Sequence, residues 1–441
     1  MALTFFNSLS GTKERFASLR PPTVSFYTCG PTVYAPPHIG NLRTFVTSDL
    51  LRRTLERFGL TVRQVINITD VDDKTIAGAA AAGLSLVDFT RRYEQMFLDD
   101  LDALNVLRPA ALPRATEFID QMIVLIKKML ERGIAYQAED GIYFKIASFP
   151  RYGQFRSLTG LPTDEGDFAL WKFYKPEDGE VGWDASFGRG PAAAGRGRPG
   201  WHIECSAMIA ATLGEQIDLH LGGTDLIFPH HENENAQSES LNGQPLARFW
   251  LHSAFMMIEG EKMAKSLGNV LGLADLSTKK FPPINYRYLL LTVHYRTLLN
   301  FTWESLTAAA KAYEKLQGLV SEWASAGPTE GQVIESYKQR FDHALEDDLN
   351  LPQALAVTWE VTKDDRVKRR DKLATLLNFD QVLGLNLTNV AKPVEIPPAV
   401  AELIKERNQA RQNKDWSLAD KLRAQIEALG YKVKDMSARQ D

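Results

Sequence analysis

Cysteine is nearly absent: the 441 residues hold two, Cys29 and Cys205, 176 positions apart. So small a supply excludes a disulfide framework and fits a reducing compartment, the cytoplasm. Long apolar runs are missing as well. The segment "MALTFFNSLSGTKERF" has no sustained apolar run before its first charges, and "QMIVLIKKML" is broken by Lys127 and Lys128. Neither a secretory leader nor a membrane span is expected. A strong charge of one sign is lacking too. A net charge of -4 excludes a polyanion binder held by bulk electrostatics and leaves any such partner to local patches. No internal repeat occurs at solenoid periods. What is present is 44% hydrophobic residues, enough to fill more than one core, in a chain long enough for about three domains of ~150 residues.

The pattern along the chain places the polar constellations. Thr23 to Cys29 reads as a strand running into the turn Gly30-Pro31. Leu42, Phe45, Val46, Leu50, Leu55 and Phe58 then keep helical spacing up to Gly59, and "VRQVINITD" (Val62 to Asp70) reads as a second strand. Strand, helix, strand in this order predicts a right-handed crossover opening a parallel, doubly wound α/β sheet. Ligands of such sheets sit beyond the carboxyl ends of the strands, where Cys29 and Asp70 fall. Between Pro113 and Gly200 the pattern changes to a helix (Thr116 to Arg132), short strands such as "GIYFKI", and the Gly/Arg-rich "GRGPAAAGRGRPGW", read as an insertion with a flexible return. "QIDLHLGG" and a helix beginning near His230 look like the second half of the sheet. Beyond Phe301 the spacing is helical, and the last forty-one residues form a separate module. In it Ser417 caps a helix whose apolar stripe is Leu418, Leu422, Ile426 and Leu429, ended by Gly430.

Three constellations can carry chemistry. In "FPHHENENAQ", His230 and Glu234 stand four apart, one helical turn, which suits a metal; a solvated polar helix start is the plainer reading. Cys29 and Cys205 could complete a tetrahedral Cys-Cys-His-Glu set, or be buried and inert. The zincin pattern HExxH fails, because Asn235 stands where its second histidine belongs, and a peptidase is disfavoured. "PPHIGN" puts His38, Gly40 and Asn41 at a helix start, where backbone amides and the helix dipole favour phosphate, though ordinary helix initiation reads the same. "EGEKMAKSLGN" holds Lys262 and Lys265 in a Gly-flanked loop, either a solvated basic loop or mobile ammonium groups for a leaving pyrophosphate. The two motifs together, 224 residues apart, are far more specific than either alone.

With these residues in view, "YTCGPTVYAPPHIGN", "INITDVDDK", "GWHIECSAM", "GGTDLIFPHHENE", "KMAKSLGN" and "LEDDLNLPQAL" resemble the class I aminoacyl-tRNA synthetases, and within them the cysteinyl-tRNA synthetase family, nearly end to end. Two departures from the class pattern are Asn41, where many members carry a second histidine, and Ala264, where KMSKS has serine. The resemblance implies a Rossmann-like, HIGH-type nucleotidyl transferase domain in two halves (1–112 and 201–250) and a connective insertion (113–200). A KMAKS-loop and stem-contact region (251–310), a helical bundle (311–394) and an anticodon-binding module (395–441) follow. It implies activation of L-cysteine by ATP, with Mg2+, and transfer of the cysteinyl group to the terminal adenosine of tRNA, by a monomer. His38, Asn41, Lys262 and Lys265 would serve catalysis. Gly40, Gly222, Gly223, Asp225 and Lys265 would hold ATP, and Thr69 and Trp201 would line the cysteine pocket. One Zn2+ per chain would be held by Cys29, Cys205, His230 and Glu234.

From the residues alone, Trp201 reads equally as a core aromatic, Asp70, Asp72 and Asp73 as loop caps, and Trp416 as a base-stacking or a helix-packing residue. Residues 401–441 carry nine Lys/Arg against seven Asp/Glu, a slight basic tilt. Two competing readings are a ligase that passes cysteine to an amino-sugar, which the tail disfavours, and a zinc-stabilised RNA-binding protein with a dead site, which intact His38, Lys262 and Lys265 disfavour.

Overall fold

The computed structural model describes residues 3–155, 166–187, 194–264, 267–325, 330–391 and 397–429. The chain divides into two units, Met1–Asn389 and Val390–Asp441.

In the first unit a hairpin of β1 (Thr4–Asn7) and β2 (Thr12–Arg15) precedes β3 (Thr23–Thr28), α1 (Ile39–Arg57) and β4 (Thr61–Ile66). Strand β3 alternates: Val24 and Phe26 pack on one side with Leu51 and Leu55 of α1, while Tyr27 joins a separate core on the other. Both faces are therefore covered, as the doubly wound reading requires. Helices α2 (Asp73–Ala82), α3 (Leu86–Ala103) and α4 (Ile119–Glu131) follow, the last preceded by a tight turn at Ala115–Phe118.

The insertion is a five-stranded antiparallel sheet of β5 (Ala135–Gln137), β6 (Gly141–Phe144), β7 (Phe168–Phe173), β8 (Trp183–Ser186) and β9 (Ala194–Pro199), in the order β5-β6-β7-β9-β8. Strand β9 corrects one expectation, since half of the Gly/Arg-rich stretch read as a flexible return pairs with both β7 and β8. Glycine there serves close packing: a Cβ on Gly197 would meet the Lys172 carbonyl and the Trp171 ring.

The chain returns to the parallel sheet through the helix Trp201–Thr212, β10 (Ile217–Gly223), the helix Glu232–Asn242 and β11 (Ala247–Ser253). All pairings in the order β11-β10-β3-β4 are parallel. From β3 the chain crosses outward to β4, and from β10 outward the other way to β11, so the strand order reverses between β3 and β10. A crevice at such a reversal is where open α/β sheets bind ligands. A small sheet of β12 (Met256–Ile258), β13 (Glu261–Lys262) and β14 (Leu299–Phe301) follows, with β12 and β13 joined as a hairpin through Glu259 and Gly260, both at positive φ. Helices complete the unit, among them Glu335–Glu346 and Leu351–Lys363.

The second unit packs Pro398–Gln412 against Trp416–Ala428. Here the expected cap is corrected: Asp415, not Ser417, accepts the Leu418 N–H at 3.1 Å. The helix thus starts one residue before Ser417, and its buried stripe is Ala419, Leu422 and Ile426. Leu418 and Leu429 are 45% and 54% exposed. Gly430 lies outside the described residues.

Candidate active site and metal centre

Cys29 follows the last residue of β3, its N–H donating to the Leu221 carbonyl at 3.1 Å, and so stands at the carboxyl edge beside β10. Cys205 lies on the fifth residue of the helix Trp201–Thr212. His230 belongs to a wide turn, Ile227–His231, that leads into the helix carrying Glu234. The fold brings these four together: all are buried, and their donor atoms lie within 4.8 Å of one another. The two sulfurs are 3.9 Å apart, Cys29 Sγ is 3.6 Å from Glu234 Oε1, and His230 Nε2 is 2.7 Å from the same oxygen. Two sulfurs each about 2.3 Å from one tetrahedral ion sit about 3.8 Å apart, so the donor set and spacing fit zinc.

The electrostatics of the cluster favour a cation. Burial works against a charge on His230, but Glu234 and the Cys205 sulfur outweigh it and hold the imidazole up at about 10. Burial likewise raises the Cys205 thiol, yet hydrogen bonds from Cys29 and His230 bring it down to about 6. Burial keeps Cys29 well above the usual thiol range. Glu234 is held well below the ordinary carboxylate range, against its burial, by His220 and His230. Two acidic groups thus converge on one positive centre, which a divalent ion would satisfy more fully than a proton.

Around this set stand residues that sequence reasoning missed. His220 Nε2 meets the second Glu234 oxygen at 2.7 Å, and His202 Nδ1 meets His230 Nδ1 at 2.8 Å. His231 links Cys29 Sγ, 3.3 Å away, to His252 Nε2 at 2.8 Å, and His252 Nδ1 reaches Ser8 Oγ at 2.7 Å. Cys29, His220, His231 and Glu234 form a second, overlapping donor set. Such outer groups orient ligands and fix their tautomers. Glu204 is wholly buried beside Cys205, its carboxyl oxygens without a hydrogen-bond partner among the described residues, and burial raises its pKa well above the usual range. One signal was available in the sequence: of eight histidines, those at 202, 220, 230, 231 and 252 crowd into fifty-one positions.

Trp201 is 39% exposed and stacks on the His230 ring, centroids 4.0 Å apart, which overturns the core-aromatic reading. Thr69 is buried, its Oγ1 accepting from Asn67 Nδ2 at 3.2 Å, while Asn67 Oδ1 accepts the Gly30 N–H at 2.8 Å; one amide thus joins Thr69 to the turn after Cys29. Asp70 accepts both the Thr116 N–H and its hydroxyl, and Asp72 caps α2, so the loop-cap reading describes these two.

His38 caps α1, its Nδ1 accepting the Asn41 N–H at 3.1 Å while Asn41 Oδ1 accepts the His38 N–H at 3.4 Å. With Nδ1 an acceptor, a neutral ring carries its proton on Nε2 and can donate there. Gly40 packs so that an added Cβ would crowd the His38 ring and the Met263 methyl. Gly222 and Gly223 end β10; a Cβ on the first would lie 2.6 Å from His231 Cε1, and one on the second would strike Asp225. Burial raises the Asp225 carboxyl above its usual range, against its own backbone hydrogen bond. Lys262 is exposed on β13, its carbonyl accepting from Asn269 Nδ2 at 3.1 Å. Lys265 lies outside the described residues.

Residues 15–311 match the family of tRNA synthetases class I (C) catalytic domains, and residues 394–441 the cysteinyl-tRNA ligase anticodon binding domain. A cysteine–tRNA ligase of Chlamydia pneumoniae is 44% identical over 467 residues, spanning 98% of this chain and 96% of the relative. One from Opitutus terrae is 45% identical over 462 residues, spanning 99% and 97%. Among solved structures, Mycobacterium tuberculosis methionyl-tRNA synthetase in complex with methionyl-adenylate aligns with a TM-score of 0.63 at 15% identity, covering 83% of this chain and 93% of that one, a likeness of fold alone. No described helix is long and apolar enough to cross a membrane.

Proposed function

The chain belongs to the cysteine–tRNA ligases, class I aminoacyl-tRNA synthetases, and from that premise we propose how its residues divide the work of charging tRNA with cysteine. In the first step a carboxylate oxygen of L-cysteine bonds to the α-phosphorus of ATP and pyrophosphate leaves. In the second a hydroxyl of the terminal adenosine of tRNA takes the cysteinyl group and AMP leaves. No enzyme nucleophile is needed, so positioning and charge stabilisation carry the rate.

His38 Nε2–H and the amino end of α1 hold the ATP phosphates, with Asn41 keeping the histidine in place. Gly40, Gly222 and Gly223 let the nucleotide approach the backbone, and Asp225 takes the ribose hydroxyls. Lys262 and Lys265 close over the β- and γ-phosphates, supported by Mg2+. Ala264 removes a hydroxyl from that loop and leaves both ammonium groups. Thr69 and Trp201 bound the cysteine side chain.

Cys29, Cys205, His230 and Glu234 would hold one zinc ion, which when bound would supply a Lewis-acid site for the substrate's thiolate. Serine offers zinc a poorer ligand and alanine none, so selection rests on a bond the competitors lack, worth several powers of ten against the ~10- to 200-fold of a missing methylene. The observation that carries this reading is the buried convergence of the four donors at the sheet's switch point. Residues 394–441 favour tRNA as the acceptor over an amino-sugar. The 56% exposure of Trp416 supports its stacking on an unpaired base, while the Arg411 guanidinium of the preceding helix, over its ring, supports a packing role between the two helices.

The test is cysteine-dependent exchange of pyrophosphate into ATP, followed by charging of total tRNA with labelled cysteine. Exchange is expected to follow zinc content, to disappear with Cys205→Ser, and to ignore serine. Robust exchange from zinc-free protein would refute the metal assignment, and exchange without charging would refute the acceptor.

A further inference from the structure

One buried cation is used by none of this machinery. Arg43 stands on α1 five residues beyond His38 and is 2% exposed. Among the described residues its guanidinium faces no carboxylate. Nη1 donates to the carbonyls of Ala254 at 2.9 Å and Phe255 at 2.7 Å; Nη2 donates to those of Thr297 at 2.6 Å and of His294 and Tyr295 at 3.3 Å. The two accepting segments are themselves joined, the Ala254 N–H donating to the Tyr295 carbonyl at 2.9 Å. Ala254 and Phe255 form the link from β11 to β12, the root of the hairpin that bears Lys262. The side chain therefore clasps the start of the lysine hairpin to the helix whose first turn presents His38.

Further ties act between the same two elements. The Tyr286 hydroxyl donates to the Ile39 carbonyl at 2.7 Å and lies 3.9 Å from the Met256 sulfur on β12. The Ile39 N–H donates to the Leu271 carbonyl at 2.8 Å, just past the lysine loop. A planar fork of donors can serve five carbonyls from two chain segments; an ammonium cannot. A buried charge held by carbonyls alone is costly, and burial lowers the Arg43 pKa. Packing alone would be served as well by an apolar side chain, whereas a fixed separation between two phosphate-binding elements requires directional bonds.

We infer that Arg43, seconded by Tyr286, is a positioning residue for adenylate formation: it sets the distance between the His38 turn and the lysine hairpin, touching no substrate itself. The inference rests on the reading of Lys262 given above. The test is a double-mutant cycle of Arg43→Lys and Lys262→Ala in zinc-loaded full-length protein, read as kcat for pyrophosphate exchange. Arg43→Lys is expected to lower kcat about a hundredfold, the scale of an ångström-sized misplacement, with the KM for cysteine and the zinc content unchanged. The double variant is expected to be no slower than the slower single variant, because both changes spoil one contact. Losses that multiply in the double variant, or a loss that follows zinc content, would overturn the inference. A wild-type rate for Lys262→Ala alone would instead overturn the reading of the lysines. Should Arg43→Lys not fold, Tyr286→Phe carries the same cycle with a smaller loss; failure of both to fold would make the clasp a folding element and end the proposal.

Discussion

At the scale of single residues, the site is built by what is left out as much as by what is present. Gly222 makes room for the His231 ring, which in turn touches the Cys29 sulfur. Gly222→Ala is therefore expected to cost about 1–3 kcal/mol of stability and to loosen zinc, both visible by comparing thermal unfolding and metal retention with wild type. The four proposed ligands differed in how legible they were. His230 and Glu234 announce themselves by a one-turn spacing, and the two side chains meet although His230 sits in the wide turn ahead of the helix. Cys29 and Cys205, 176 residues apart, offer no spacing to read. Only the return of the chain through the helix Trp201–Thr212 places one thiol against the other. The histidines at 202, 220 and 252 showed in the sequence only as crowding, and their partners could not be read, for a related reason. Each meets its partner across elements, and His220 and His252, within strands, otherwise read as ordinary buried residues.

At the scale of elements, the parallel strands and α1 could be read because alternation and helical spacing repeat over several residues and average out local exceptions. Boundaries set by one hydrogen bond could not. In "KDWSLAD" both Asp415 and Ser417 are good caps by type, and which one accepts depends on the path of the chain between the two helices. Asp415→Ala is expected to cost about 1 kcal/mol and Ser417→Ala almost nothing, as measured by amide exchange within Trp416–Ala428. Helix α3 offers a case of opposed forces. Its last turn carries Asp99, Asp100 and Asp102 near the negative end of the helix dipole. Burial, with the Asp99 charge alongside, pushes the Asp100 carboxyl up to about 6. The folded state prefers the protonated form, so this residue's contribution declines as pH rises from about 4 through 6. Asp100→Asn is thus expected to raise the Tm at pH 8 and to leave it nearly unchanged near pH 3, where the carboxyl is mostly protonated both folded and unfolded. A constant difference across that range would contradict the assignment.

At the scale of the first unit, distant segments are joined by a few buried polar groups. Asp348, in the left-handed region with Leu349 beside it, accepts the Phe6 N–H at 2.9 Å, the Tyr295 hydroxyl at 2.7 Å and Arg296 Nε at 2.7 Å. Non-glycine residues hold such backbone angles only where their surroundings over-determine them. Asp348→Ala removes the acceptor from all three donors and is expected to cost about 3 kcal/mol, read from urea unfolding. Because Tyr295 also gives its carbonyl to Arg43, a fall in exchange rate should accompany the loss.

The same junction bears on the order in which the chain is made. Thr4 donates its hydroxyl to the Glu346 carbonyl across 342 positions, and its own carbonyl accepts the Asp348 N–H. At about 5–20 residues per second, a ribosome needs roughly 20 s to a minute to supply those partners after β1 has emerged. During that interval β1 can pair with β2 and, once β11 has been made, bond to it through Asn7 and Ser8, but its Thr4 edge has no partner. The nascent chain therefore carries an incomplete sheet edge for most of its synthesis, and premature termination anywhere before Asp348 would release a fragment with that edge still uncovered.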